Sequence, residues 1–258
     1  MNIIIQHEDV HGICEMLVEN LKRILHERLL GVYLTGSLAY GDFDRDSSDL
    51  DFLIVLQDNL SKYGLNEVKA MHVTIAERYP VWAKRIEASY ITKEMLHCEK
   101  PPKLPRLYVN AGKIWDAALY GNEWLLNMHA LYEKGKLLFG IEPKKLLGRP
   151  IFIDAVKRAS KNDFFQEWEP LLRDSSPLKD SHFQTYAVLT LCRILHRDKN
   201  DDVVSKKVAA AWVNRVYGLL WKVLIQKALD WRYGLEMNEA DEILGFIRFT
   251  SQQLGNSD

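Results

Sequence analysis

Apolar residues return every three or four positions from His7 to Leu30, at Val10, Ile13, Met16, Leu17, Leu21, Ile24 and Leu25. This spacing predicts an amphipathic helix with one face against a sheet. Two short β-rich runs follow, Gly31-Val32-Tyr33-Leu34 and Leu50 to Leu56, separated by a polar stretch with Gly36, Ser37, Gly41 and several aspartates. That order reads as strand, functional loop, strand. Residues 65–79 again have helical spacing, and Lys84 to Ile91 alternates as a half-buried strand does. Pro101, Pro102 and Pro105 mark a loop, Asn122 is placed to cap a helix running to about Phe139, and Gly140 through Pro150 carries the signals of a break. A domain boundary belongs there, giving domains 1–150 and 151–258. Beyond it, 151–172, 181–197, 205–229 and 237–254 favour helix and no segment favours strand. The expected fold class is α+β: an N-terminal domain with a mixed β-sheet flanked by helices, then a C-terminal all-α helical bundle domain.

Composition narrows the partners. The chain has 258 residues, 47% hydrophobic and 27% charged, which supports two cores and excludes long disorder. A formal net charge of −1 offers no global positive field for nucleic acid, so a small-molecule partner is expected. Cys14, Cys98 and Cys192 are odd in number and far apart, the pattern of buried thiols in a reducing cytoplasm and not of a disulfide framework or thiolate zinc site. Residues 1–6 lack a basic region and their apolar run is too short for a signal, and no later segment is apolar over membrane-spanning length. A cytoplasmic protein without a membrane partner is expected.

The segment Gly36-Ser37-Leu38-Ala39-Tyr40-Gly41-Asp42-Phe43-Asp44-Arg45-Asp46-Ser47-Ser48-Asp49-Leu50-Asp51 carries the chemistry. A Gly-Ser pair after a strand lets backbone N–H groups and a hydroxyl approach phosphate oxygens, because glycine has no Cβ to obstruct them. Asp49 and Asp51 lie two positions apart at a strand start, so their carboxylates leave on one face and converge. Converging carboxylates repel unless a hard cation lies between them, and Mg²⁺ with substrate phosphates is the common solution. Glu87, alternating with Ile86 and Ala88, can project to the same side if its strand is a neighbour.

This arrangement resembles the active-site signature of the DNA polymerase β-like nucleotidyltransferase superfamily. Tyr186 to Arg193, followed by Ser205 to Trp212, is similar to the C-terminal helical domain of the aminoglycoside (3'')(9) adenylyltransferases. The resemblance spans most of the chain and is patchy between Glu87 and Gly140. It implies an ATP- and Mg²⁺-dependent enzyme that adenylylates a hydroxyl of an aminocyclitol antibiotic in a cleft between two domains. It further implies that Ser37 and Ser48 contact the nucleotide, beside Gly36 of the Gly-Ser pair, that Asp49, Asp51 and Glu87 hold the metal, and that Glu87 is the general base. Glu123 falls where the family has an acidic residue near ATP, Lys206 where a lysine reaches the phosphates, and Arg193 lies in the matching helix. Asp174, Lys179 and Phe183 stand where streptomycin-modifying members place a tryptophan and acidic residues. Lys179 would repel a cationic drug there, which favours spectinomycin over streptomycin, with Asp174 and Asp180 left to supply acidity. Action on another small molecule, a protein or nucleic acid, or nucleotide binding without transfer, are the alternatives.

Two other patterns carry less. His7-Glu8-Asp9-Val10-His11 has the HExxH spacing of zinc proteases, but it stands at the N-terminus, ahead of the first helix, with Gly12 next. Asp44, Asp46 and Ser48 start like a calcium loop, yet its sixth position is Asp49 and its twelfth Val55 where glycine and glutamate are needed.

Overall fold

In a computed structural model that describes residues 7–255, the chain forms two compact units. One comprises Ser48–Ile151 with the chain up to Phe43; the other comprises Phe152 onward with Asp44–Ser47. Each buries its own apolar cluster.

The first unit is built on a six-stranded sheet. Its strands are β1 (Leu29–Leu34), β2 (Leu50–Leu56), β3 (Ile86–Thr92), β4 (Arg106–Asn110), β5 (Lys113–Ala118) and β6 (Lys136–Gly140), in the spatial order β5-β4-β3-β2-β1-β6. The β2–β3 pair is parallel and every other pair antiparallel, so the sheet is mixed. Helices α1 (Glu8–Leu25) and α3 (Lys62–Arg78) cover one face. In α1, Glu8 and Asp9 in the first turn and Lys22 and Arg23 in the last match the helix dipole, while Val10, Ile13, Cys14, Leu17 and Leu21 are buried. Ser61 caps α3 by accepting the Gly64 amide at 3.1 Å. Those helices meet Leu34, Phe52, Ile54, Ala88 and Tyr90; the alternate residues Tyr33, Leu53, Val55 and Ile91 meet Trp124, Met128 and Leu131 of α4 (Glu123–Lys134) on the opposite face.

Burial of polar groups within this core sets a pH limit. His72 is buried against the Tyr90 hydroxyl at 2.6 Å, and burial lowers its pKa to about 4. The unfolded chain therefore takes up this proton first, and stability falls as pH drops from 6.5 toward 4, by on the order of 2 kcal/mol. Denaturant titrations across that window should show a shallower decline for His72→Gln; equal slopes would remove His72 as the cause.

In the first unit three elements differ from the sequence reading. The predicted helix from Asn122 to about Phe139 stops at Lys134, and 136–140 form β6 along β1. Gly135 ends it: its amide donates to the Ala130 and Leu131 carbonyls, and a Cβ there would collide with the Leu131 backbone. Asn122 precedes the helix without a side-chain capping bond. The hairpin of β4 and β5, for which no strand was predicted, turns at Ala111 and Gly112, both with positive φ. The polar loop after β1 begins as one helical turn, α2 (Gly36–Tyr40).

The second unit has no strand among its described residues. After α5 (Pro143–Leu147) in the first unit come α6 (Ile153–Asp163), α7 (Ser181–Lys199), α8 (Lys206–Val216), α9 (Lys222–Asp230) and α10 (Ala240–Gly255). α7 is central, buried from Gln184 through Arg197 on most faces and packed by α8, α9 and α10. The predicted 205–229 helix is two helices, because the chain leaves the helical region at Gly218 (φ +67°). Asp44–Ser47 joins this unit through Arg232 Nη2 to Asp44 Oδ2 at 3.1 Å and the Tyr233 amide to the Asp46 carbonyl at 3.1 Å. No helix among the described residues is long and apolar enough to cross a membrane.

Candidate active site

Strand register assembles the acidic groups. In the parallel β2–β3 pair, Asp51 stands opposite Glu87, and Leu53, Val55, Ser89 and Ile91 continue the same face. Asp51 and Glu87 thus lie at the N-terminal ends of β2 and β3 on the face covered by α4, and Asp49, one residue ahead of β2, is near enough for its charge to act on Glu87. Burial, then the Asp51 charge, pushes the Glu87 carboxyl up to about 7; Asp49 adds to the rise, while the Tyr108 hydroxyl and Arg106 oppose it. Among the described residues no group of three His, Cys, Asp or Glu side chains is arranged to hold a metal ion. The donor set is nevertheless one of hard oxygens whose mutual repulsion a divalent cation would relieve.

The Gly-Ser pair lies against this acidic end. Gly36 has φ +54°, and a Cβ built there would overlap the Asp51 carboxyl group. The Thr35 amide donates to the Asp51 carbonyl at 2.9 Å, fixing the turn to β2. The next residue, Ser37, has a buried Oγ with no hydrogen-bond partner among the described residues. A buried hydroxyl left unpaired is costly, and a ligand oxygen would satisfy it.

Sequence reasoning did not find the cations and phenols around these acids. Arg85 donates to the Ser48 carbonyl at 3.2 Å through Nε and approaches Asp49 Oδ1 at 3.9 Å. Its place two positions before Glu87 was a usable signal, since three converging carboxylates need a cation nearby. Tyr108 hydrogen-bonds Glu87. Arg106 is buried with Nε on Ser89 Oγ at 2.7 Å, its guanidinium 3.4 Å from the Tyr120 ring centre, and Tyr120 bonds Ser89 at 2.8 Å. Arg106 and Tyr108 lie on β4, a strand the sequence pattern did not mark, and Tyr120 follows β5.

The remaining predicted residues fall in separate places. Glu123 opens α4, and its carboxylate accepts the Gly121 amide at 3.0 Å, a local helix-start contact. Arg193 and Lys206 belong to the second unit. Arg193 donates to Thr190 Oγ1 at 3.2 Å and keeps a buried Nε without a hydrogen-bond partner among the described residues. Lys206 follows the α8 cap Ser205, with Nζ 5.4 Å from the Tyr186 ring centre. Asp180 caps α7 on the Phe183 amide at 2.7 Å, Asp174 accepts the Ser176 amide at 3.0 Å, and Lys179 ends the turn between them.

The HExxH segment is not ahead of the first helix, as the sequence reading placed it. His7 is the N-cap position of α1 and Glu8 to His11 form its first turn, because Val10 and Ile13 begin its buried stripe. His11 pairs with Glu15 at 3.1 Å, and Asp9 takes the Trp82 indole N–H at 2.8 Å.

Residues 14–106 match the nucleotidyltransferase domain family, and residues 163–252 match the aminoglycoside adenylyltransferase C-terminal domain family. Comparison with curated proteins returns no match. Among solved structures, the spectinomycin adenyltransferase AAD(9) from Enterococcus faecialis, with ATP and spectinomycin, is 20% identical. Its TM-score is 0.75, over 95% of this chain and 99% of that one. A toxin-antitoxin structure with AMP-PNP is 16% identical with a TM-score of 0.30, over 63% of this chain and 96% of its own, and carries no argument about the fold.

Proposed function

We propose, for a chain that belongs to the aminoglycoside adenylyltransferase family and is a nucleotidyltransferase, that it transfers AMP from ATP to a hydroxyl of an aminocyclitol, spectinomycin ahead of streptomycin. The observation that carries this reading is the pairing of Asp51 with Glu87 in register, with Gly36 backed against Asp51.

Asp49, Asp51 and Glu87 are the residues that would hold Mg²⁺, which would supply positive charge to offset that of the triphosphate and of the leaving pyrophosphate. Glu87 takes the proton of the acceptor hydroxyl, and that oxygen then bonds to the α-phosphorus as the α–β bridging bond breaks. Ser37 and Ser48 hold nucleotide oxygens, and Glu123 stands by ATP as the resemblance implies. Lys206 and Arg193 offset triphosphate charge. Streptomycin is disfavoured by Lys179, and by Asp174 and Asp180 holding backbone amides of their own turns. AAD(9), with which this chain shares its fold, has been seen with ATP and spectinomycin.

Incubation with ATP, Mg²⁺ and a panel of aminocyclitols, followed by pyrophosphate detection, tests the reading. Release is expected with spectinomycin, little with streptomycin, and none after chelation of the metal. ATP binding with silence across the whole panel would sink the proposed acceptor class.

A further inference from the structure

Asp49 precedes the first residue of β2, so no strand ladder holds it, yet the site needs its carboxylate beside that of Asp51. Arg85 grips the chain on both sides of it. The Arg85 guanidinium donates to the Ser48 carbonyl through both Nε, at 3.2 Å, and Nη2. The Arg85 carbonyl accepts the Leu50 amide at 2.8 Å. Arg85 is only 6% exposed, and both donors meet a peptide oxygen, so it is placed to act through Asp49 and not on a substrate.

The arginine is itself held. Its guanidinium carbon lies 4.2 Å from the Trp82 ring centre, and its amide donates to the Trp82 carbonyl at 2.8 Å. Trp82 is buried, stacks on Phe43 at 6.1 Å and donates its indole N–H to Asp9. His7 packs on Phe43 at 5.5 Å. The His7–Asp9 segment thus reaches the acidic site through Phe43, Trp82 and Arg85.

We infer that Arg85 is a positioning residue that fixes the Ser48–Asp49 peptide for metal-nucleotide binding, braced from the first turn of α1 through Asp9 and Trp82. This inference rests on the metal-ATP reading proposed above. Groups that orient a metal ligand affect binding of the metal complex more than binding of the bare nucleotide.

Calorimetric titration of ATP with and without Mg²⁺ into wild type, Arg85→Lys and Arg85→Met, alongside thermal melting, tests it. Wild type should bind ATP more tightly with Mg²⁺. Both variants should lose about tenfold or more of the Mg²⁺-dependent affinity, Met more than Lys, with metal-free ATP affinity unchanged. Trp82→Phe, which keeps a ring but loses the Asp9 bond, should lose less than Arg85→Met; it carries the test together with Arg85→Lys if Arg85→Met fails to fold. Folded variants with wild-type Mg²⁺ dependence overturn the inference, as does an equal loss of metal-free binding, which would make Arg85 a direct nucleotide contact. A wild type that binds the metal complex but modifies no aminocyclitol defeats only the acceptor reading, and the Arg85 comparison still stands.

Discussion

Glu87→Gln is expected to reduce turnover by about 10³-fold while making the metal-free protein more stable at pH 8. Glutamine keeps the shape and can still accept from Tyr108, but it cannot take a proton from the acceptor hydroxyl. The stability gain follows from the carboxyl being pushed up to about 7 by burial and by Asp51. The folded protein binds this proton more tightly than the unfolded chain, so the carboxylate costs nothing below about pH 4.5. Its cost grows as pH rises toward 7 and is full above that. Because Glu87 keeps some surface exposure, the gain should be on the order of 1–2 kcal/mol, a few degrees in Tm for a chain of this size. Melting in a chelator at pH 5 and pH 8 checks the sign: the variant should gain at pH 8 and match wild type near pH 5. Turnover within tenfold of wild type would remove Glu87 as the base.

Gly36→Ala should be nearly as damaging for a different reason. A methyl group at this position meets the Asp51 carboxyl group, on a backbone with φ +54°. The positive φ alone costs about 1 kcal/mol. The collision must in addition displace Asp51 or the turn that carries Ser37, and a shift near 1 Å at a reacting centre costs about 100-fold in rate. Gly148→Ala separates the two effects, since Gly148 has φ +71° and open space around its Cα. It should lose similar backbone stability and no activity. If both variants transfer AMP equally well, the contact between Gly36 and Asp51 has no catalytic meaning.

The acidic signature was legible because its constraints are local. β2 matches its apolar run from Leu50 to Leu56 residue for residue, which puts Asp51 on its face by alternation, while Asp49 stands one residue ahead of the strand. Glu87 was legible as an alternating strand residue; that its strand lies beside β2, and in parallel, is a tertiary fact. β6 was read as helix because Leu137, Leu138 and Phe139 continue an apolar spacing from α4, and only pairing with β1 decides against it. Ala111 hid the β4–β5 turn, since alanine rarely takes positive φ. With that hairpin went Arg106 and Tyr108, which shape the surroundings of Glu87.

The pairing of Asp51 with Glu87 is indifferent to the length of what joins them but not to counting within β3. The exposed loop 57–59 that leaves β2 could grow or shrink on the surface without moving either acid. Deleting one residue between Glu87 and Ile91 would instead turn the glutamate over to the α1 and α3 side and bring an aliphatic residue up beside Asp51. The enzyme's tolerance of indels should therefore be wide in that exposed loop and close to zero across the five codons of Glu87 to Ile91.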